Sequence, residues 1–128
     1  VDLAKTEKIK NVNFLQCDFL DNESQKKIID FFGKKIDVIV SDMAADTTGN
    51  KTLDCIRTNQ LCAEVIEFST KILKPSGILV SKLFMGEDFL KVKELAKSNF
   101  QKVHFFKPQS SRNESKETYL HCALLKTL

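Results

Sequence analysis

The strongest constraint on the fold is an alternation of strand-like and helix-like segments along the chain. The clearest strand is the β-branched run at 36–40, whose nearly continuous apolar character predicts burial on both faces, as in a parallel sheet. Apolar residues then recur at helical spacing over 53–73, and a second apolar strand follows at 78–84. This alternation favours an α/β sheet with helices on both faces.

The first third of the chain carries a weaker version of the same pattern. The apolar-rich segment 11–16 is a strand candidate. After it, Asn22 stands at a helix N-cap position, with Gln25 where a capping box requires it. Gly33 is a natural end for that helix, because glycine adopts the left-handed conformation that terminates helices.

The last two strand patterns, at 103–106 and 118–125, are joined by a charged, Ser-rich loop and not by a helix. This predicts an antiparallel hairpin at the C-terminal end of a mostly parallel sheet. No linker or repeat divides the sequence, and 128 residues with 42% hydrophobic and 29% charged content suffice for one core. We therefore expect 1–128 to belong to a single domain.

Charge and cysteine content limit the class of protein. The net charge of +3 is compatible with an anionic partner but lies below that of a dedicated nucleic-acid binder. Apolar runs fall well short of the ~20 residues that a membrane helix needs, and no charged-then-apolar leader is recognisable. The four cysteines form no CxxC pair, and His104 and His121 lack a second ligand at metal spacing. We expect reduced thiols, no metal and no membrane.

The candidate chemistry lies at the carboxyl ends of the predicted strands, where open α/β sheets bind ligands. The polar residues at these positions are Asp2, Asp18, Asp42 and Lys82, and Glu117 directly precedes the last predicted strand. Lys82 interrupts an apolar strand, and because lysine is rarely buried without a partner, an acidic neighbour is expected. If 36–40 and 78–84 are adjacent parallel strands, Asp42 and Lys82 meet at their tips. A purely structural ion pair is the alternative for that pair, and helix capping is the alternative for each Asp.

Several motifs with their spacing carry a family resemblance. They are SDMA at 41–44, LKPSG at 73–77, VSKLF at 80–84 with Gly86-Glu87, and Lys107-Pro108 followed by Ser111-Arg112, Ser115, Glu117 and Tyr119. In combination they resemble the FtsJ/RrmJ family over nearly the whole chain. Members of that family are S-adenosylmethionine-dependent ribose 2′-O-methyltransferases of large-subunit ribosomal RNA, with a Rossmann-like sheet.

The resemblance implies roles for individual residues. The family uses a Lys-Asp-Lys-Glu catalytic tetrad, and Asp42, Lys82 and Glu117 match its last three members. Asp2 matches the residue expected to hold the ribose hydroxyls of the cofactor, and Asp18 the one expected to accept from the adenine amino group. Asp42 is also expected near the methionine end of the cofactor.

The loop that follows the predicted strand at 103–106 supplies the candidate RNA contacts. These are Lys107 and Arg112, and arginine offers phosphate a bidentate fork that lysine cannot. A solvated loop without RNA contacts is the alternative interpretation.

The sequence departs from the family in two places. The family usually has Pro-Asn after SDMA, whereas Ala45 and Asp46 follow here. The first tetrad lysine, the N-terminal strand and the Gly-rich loop beside the cofactor have no counterpart in 1–128. The resemblance therefore implies that 1–128 is the C-terminal two-thirds of a single methyltransferase domain. We expect unpaired strand edges and no activity from this piece alone.

The function implied is 2′-O-methylation of a ribose, with a uridine as the expected target. The substrate would be large-subunit (23S-type) ribosomal RNA or the assembled large ribosomal subunit, in the cytoplasm, an organelle being the alternative for a eukaryotic source. Two other hypotheses stay open. One is a non-catalytic RNA- or ribosome-binding module, and the other is an unrelated nucleotide-binding α/β domain. Methyl transfer to large ribosomal subunits distinguishes the first hypothesis from both.

Overall fold

The computed structural model describes residues 1–86, 88–107 and 116–126. The chain forms two compact units, Val1–Lys34 and Lys35–Leu128, and each is described by itself. Within the described ranges, no helix is both long enough and apolar enough to span a membrane.

The first unit contains one helix and one isolated parallel bridge. The bridge joins Asp2 to Gln16. The predicted strand at 11–16 is wrong, because Gln16 is its only paired residue and Asn11 turns the chain with a φ of 64°. A strand needs a partner along its length to satisfy its backbone, and here only one pair forms.

The helix of this unit, α1 (Asn22–Phe32), begins one residue away from the predicted cap. Asp21 is the N-cap, and its carboxylate accepts from the Glu23 N–H at 3.1 Å. The predicted Asn22–Gln25 capping box is wrong, because the Gln25 amide donates to the Phe19 carbonyl instead. The predicted end is confirmed, since Gly33 has a φ of 63°.

In its described residues, the second unit is a four-stranded mixed sheet with two helices. Its elements are β1 (Ile36–Ser41), α2 (Lys51–Ile72), β2 (Leu73–Phe84), α3 (Phe89–Asn99), β3 (Phe100–Phe106) and β4 (Glu117–Leu125). The strand order is β1-β2-β4-β3, with β1 parallel to β2 and β4 antiparallel to both neighbours. Three strands therefore run in one direction, which confirms the α/β class and the mostly parallel sheet with its C-terminal hairpin.

Both helices of this unit lie on one face of the sheet. They contact each other, and α2 packs on β2 while α3 packs on β3. Beneath them Leu79, Ser81 and Leu83 are buried. The expected burial of 36–40 on both sides is wrong. Val38 and Val40 are 53% and 70% exposed, because β1 is an edge strand whose second face lies away from the helix layer.

We call the side of the sheet opposite α2 and α3 the open face. The strand register aligns its side chains in rows that cross the sheet. One row consists of Val40, Val80, His121 and His104. The next row, nearer the carboxyl end of β2, consists of Lys82, Tyr119 and Phe106. The second row contains the candidate catalytic lysine.

Candidate active site

Three sequence-predicted site residues meet at the carboxyl end of β2. The Lys82 ammonium lies 3.1 Å from Asp42 Oδ1 and 3.8 Å from Glu117 Oε2. Parallel pairing of β1 with β2 brings Asp42 to Lys82, while antiparallel pairing of β4 with β2 sets Glu117 opposite Phe84. The Lys82 side chain is only 14% exposed, whereas that of Asp42 is 66% exposed, so the cluster opens to solvent on the Asp42 side.

Tyr119 is a fourth member of this cluster. Its hydroxyl donates to Asp42 Oδ1 at 2.6 Å, and its backbone pairs with Lys82 across β2 and β4. Sequence analysis includes Tyr119 in a motif but assigns it no role. Its position could have indicated a role, because Tyr119 lies two residues after Glu117 and alternate residues of a strand project to the same face.

The side chains of the cluster shift the pKa values of Asp42 and Tyr119. The hydrogen bond from Tyr119, together with the Lys82 ammonium, holds the pKa of Asp42 below its usual value despite partial burial. The same hydrogen bond, followed by burial and the negative charges of Asp42 and Glu117, raises the pKa of Tyr119. At neutral pH the cluster therefore contains a carboxylate at Asp42 and a protonated tyrosine that donates to it.

The tyrosine titration tests this arrangement directly. Tyr119 is the only tyrosine and the chain has no tryptophan, so ultraviolet absorbance during an alkaline titration reports this group alone. We expect an ionisation midpoint clearly above the ordinary value of about 10. Because the folded pKa exceeds the unfolded one, the stability from this bond is complete below about pH 10 and is lost as the pH rises further.

The matched control for that titration is Asp42→Asn, which removes the negative charge beside the hydroxyl. The midpoint should then move down towards about 10. Circular dichroism along the titration verifies that the chain stays folded. A midpoint near 10 in both folded proteins would contradict the Tyr119–Asp42 contact.

The loop after Asp42 is anchored by a buried side chain of α2. The Thr58 hydroxyl, 1% exposed, accepts from the Ala45 N–H at 3.0 Å. The FtsJ/RrmJ pattern usually has proline at this position, and proline has no N–H to donate. The departure at Ala45 is therefore matched by a hydrogen bond that the usual residue could not make.

The next residue of α2 anchors the end of β2. The Asn59 side chain, fully buried, accepts from the Phe84 N–H at 2.7 Å and donates to the Phe84 carbonyl at 2.9 Å. It also donates to Asp88 Oδ1 at 2.9 Å. Neither Thr58 nor Asn59 was among the predicted site residues. Their signal is that they fall on the α2 face whose other buried members include Cys62, Val65, Ile66 and Ser69.

The two predicted cofactor carboxylates outside this cluster lie in the first unit. Asp2 accepts from the Ala4 N–H at 3.0 Å, and Asp18 accepts from the Leu20 N–H at 3.0 Å. The isolated Asp2–Gln16 bridge brings Asp2 beside the segment that leads to Asp18. Both residues are exposed, so each carboxylate is accessible to a hydroxyl or amino donor.

The remaining predicted residues lie in or near the loop after β3. Lys107 is exposed and directly follows that strand. Arg112 lies outside the described residues, as do Glu87, Pro108, Ser111 and Ser115 of the motifs. Among residues 1–86, 88–107 and 116–126, no three His, Cys, Asp or Glu side chains group as a metal site.

Sequence comparison agrees with the motifs. The model of the FtsJ-like methyltransferase family matches residues 1–124. The "Ribosomal RNA large subunit methyltransferase E" of Pelagibacter ubique (strain HTCC1062) is 45% identical over 126 residues, which are 98% of this chain and 62% of the relative. The protein of the same name from Rickettsia akari (strain Hartford) is 44% identical over 94% of this chain and 53% of its own length. The chain thus spans only part of the length of these relatives.

Structural comparison supports the same assignment. A crystal structure of a Plasmodium falciparum protein described as a ribosomal RNA methyltransferase matches with a TM-score of 0.82 and 28% identity, covering 97% of this chain and 69% of that one. A Streptococcus mutans protein described as a methyltransferase, in complex with SAH, matches in fold with a TM-score of 0.56 at 13% identity, over 97% of this chain and 68% of that one. Motifs, family model and fold agree, and the chain belongs to the FtsJ-like methyltransferase family.

Proposed function

We propose that the protein containing this chain transfers a methyl group from S-adenosylmethionine to a ribose 2′-hydroxyl of large-subunit ribosomal RNA. The observation that carries the proposal is the Lys82 ammonium held by Asp42 and Glu117 at the carboxyl end of β2. Two high-identity relatives named as large-subunit ribosomal RNA methyltransferases support the substrate class.

Lys82 is the group that acts on the ribose hydroxyl. A free lysine side chain has a pKa of about 10.4, so it is an ammonium at neutral pH. The Lys82 ammonium lies 3.1 Å from Asp42 Oδ1 and 3.8 Å from Glu117 Oε2. Lys82 therefore first orients the hydroxyl by donating a hydrogen bond to its oxygen. Late in the transfer, as the methyl group passes from sulfur to that oxygen, the ammonium releases one proton to solvent on the exposed Asp42 side and accepts the hydroxyl proton in its place.

Asp2, Asp18 and Asp42 are the residues proposed to hold the cofactor. The fit rests on the chemistry of the donors, because exposed carboxylates accept hydrogen bonds from ribose hydroxyls and from an adenine amino group. When bound, S-adenosylmethionine supplies an electrophilic methyl group. The four glycines of the chain form no Gly-rich loop for its methionine portion, so we expect residues 1–128 to be inactive alone.

The proposal extends to the setting of the reaction. The target nucleotide is a uridine, in the rRNA itself or in the assembled large subunit, and the site of action is the cytoplasm. Lys107 and Arg112 contribute contacts to RNA phosphates.

The test is transfer of labelled methyl from S-adenosylmethionine to large ribosomal subunits by the complete gene product that contains this chain. Nuclease digestion and mass spectrometry should find the label on a 2′-O-methylated nucleoside, uridine being the expected base. As a control, the isolated 128-residue chain should transfer little or no label. Label on a base, or on no RNA, would contradict the proposal. Tight binding to subunits without transfer would instead favour the non-catalytic module.

A further inference from the structure

The second row of the open face continues beyond the candidate active site. Lys82 on β2 pairs with Tyr119 on β4, and Tyr119 pairs with Phe106 on β3. Directly paired residues of neighbouring strands project to the same face, so all three side chains lie on one side of the sheet. Two strand spacings of about 4.8 Å separate the ends of the row. The backbone of Phe106 therefore lies about 10 Å from the backbone of Lys82, measured across the sheet.

Phe106 presents an aromatic surface at the end of this row. Its ring stacks against that of Tyr119, with centroids 5.8 Å apart and planes inclined by 23°. The residue is 44% exposed. The contrast with Phe105 is informative, because that ring lies on the covered face and packs against Phe89 of α3 at 4.7 Å. Phe106 is thus accessible to a ligand. Tyr119, which lies between Phe106 and Lys82, packs against the ring of Phe106.

The surroundings of Phe106 suit an anionic chain. Lys107 directly follows it, Lys116 directly precedes β4, and both are exposed. On the same open face, Lys102 lies four residues before Phe106 on β3 and is also exposed. Lysines around an exposed ring form the combination with which sheets bind single-stranded RNA, where rings stack on bases and cations contact phosphates.

We propose that Phe106 is a stacking platform for an unpaired RNA base next to the ribose held at Lys82. This proposal rests on the proposed function, because it places the target ribose at Lys82. The two fail separately, however, because base stacking is measurable without methyl transfer. The competing explanation is that the Phe106–Tyr119 ring pair only stabilises the sheet and does not bind RNA.

The first test measures binding of a fluorescein-labelled ten-nucleotide oligouridylate to the complete gene product that contains this chain, without S-adenosylmethionine. We expect Phe106→Leu to weaken binding at least about 5-fold, as expected for the loss of one base stacked on a ring. Phe106→Trp should bind within about 2-fold of the wild type, since it retains a stacking surface. The matched control is Phe31→Leu, which removes another exposed ring, 59% exposed and paired with Phe32, and should leave binding unchanged.

A second readout separates stacking from a structural role and requires no variant. The complete wild-type gene product is irradiated with an oligouridylate that contains one 5-iodouridine, which crosslinks to aromatic rings on which it stacks. Peptide mapping should find the adduct on Phe106. An adduct found only elsewhere, or no binding of the oligonucleotide by the complete wild-type gene product, would overturn the proposal.

Circular dichroism and the unfolding midpoint complete the test. If Phe106→Leu folds normally and binds RNA as the wild type does, the platform does not exist. If that substitution instead dissociates a dimer seen by sedimentation, with RNA binding unchanged, the face is covered by a second copy and the proposal is overturned. If stacking is found but the complete gene product methylates no RNA, only the proposed catalytic function fails.

Discussion

Methyl transfer to ribosomal RNA is expected to fall by a factor on the order of 10² to 10⁴ when Lys82 is replaced by methionine, the range for loss of a positioned acid–base group. Methionine preserves the length and apolar body of a side chain that is only 14% exposed. It removes the ammonium that lies 3.1 Å from Asp42 and 3.8 Å from Glu117. The measurement is labelled methyl transfer to large subunits by the complete gene product.

The same strand offers a matched control. Lys74 is a second lysine of β2 with an acidic partner, since its ammonium lies 2.8 Å from Asp37, but it is 44% exposed and lies at the other end of the strand. Lys74→Met should leave transfer within about 2-fold, because exposed ion pairs contribute at most about 1 kcal/mol. Normal methylation by the Lys82→Met protein would contradict both of its assigned roles, orientation and late proton transfer.

The unfolding free energy is expected to fall by about 3 kcal/mol when Asn59 is replaced by leucine. The side chain is fully buried and satisfies both the N–H and the carbonyl of Phe84. Leucine has a similar shape but no polar atoms, so these two backbone groups lose their partner. Urea unfolding of the chain, followed by far-ultraviolet circular dichroism, measures the change.

The control for this substitution is Asn99→Leu on α3. The Asn99 amide donates only to a carbonyl of its own helix, that of Leu95, at 2.9 Å. It is partly exposed, so water replaces the lost bond and the change should stay below about 1 kcal/mol. Equal losses in the two variants would show that Asn59 does not anchor the end of β2 near Lys82.

The local patterns that were predicted correctly share one property. They depend on residues close together in the chain. The helix at 53–73 corresponds to α2, and the strand at 78–84 lies within β2. Gly33 ends α1 as expected, because a left-handed φ is a property of that residue alone. The interruption of an apolar strand by Lys82 is also a local signal, although the partner that it indicated, Asp42, is distant in the chain.

The errors depend on what packs against a segment. The run 36–40 has the composition of a strand buried on both sides, but Val40 is 70% exposed because it lies on the open face, which α2 and α3 do not cover. The segment 11–16 is also apolar-rich, yet pairs only through Gln16. Composition reports that a segment is able to be buried, and the neighbouring elements decide whether it is.

The sequence by itself determined the order of most strands and helices, the acidic and basic residues at the strand ends, and the family. Only the tertiary structure decided that β4 lies between β2 and β3. That insertion brings Glu117 and Tyr119 to Lys82 and aligns Phe106 behind them. The physical reason is that periodicity reports local burial, whereas strand order depends on hydrogen bonds between segments distant in the chain. The apolar strand interrupted by one lysine and the meeting of that lysine with Asp42 were therefore readable in advance, but the Tyr119–Asp42 hydrogen bond and the alignment of Phe106 with Tyr119 were not.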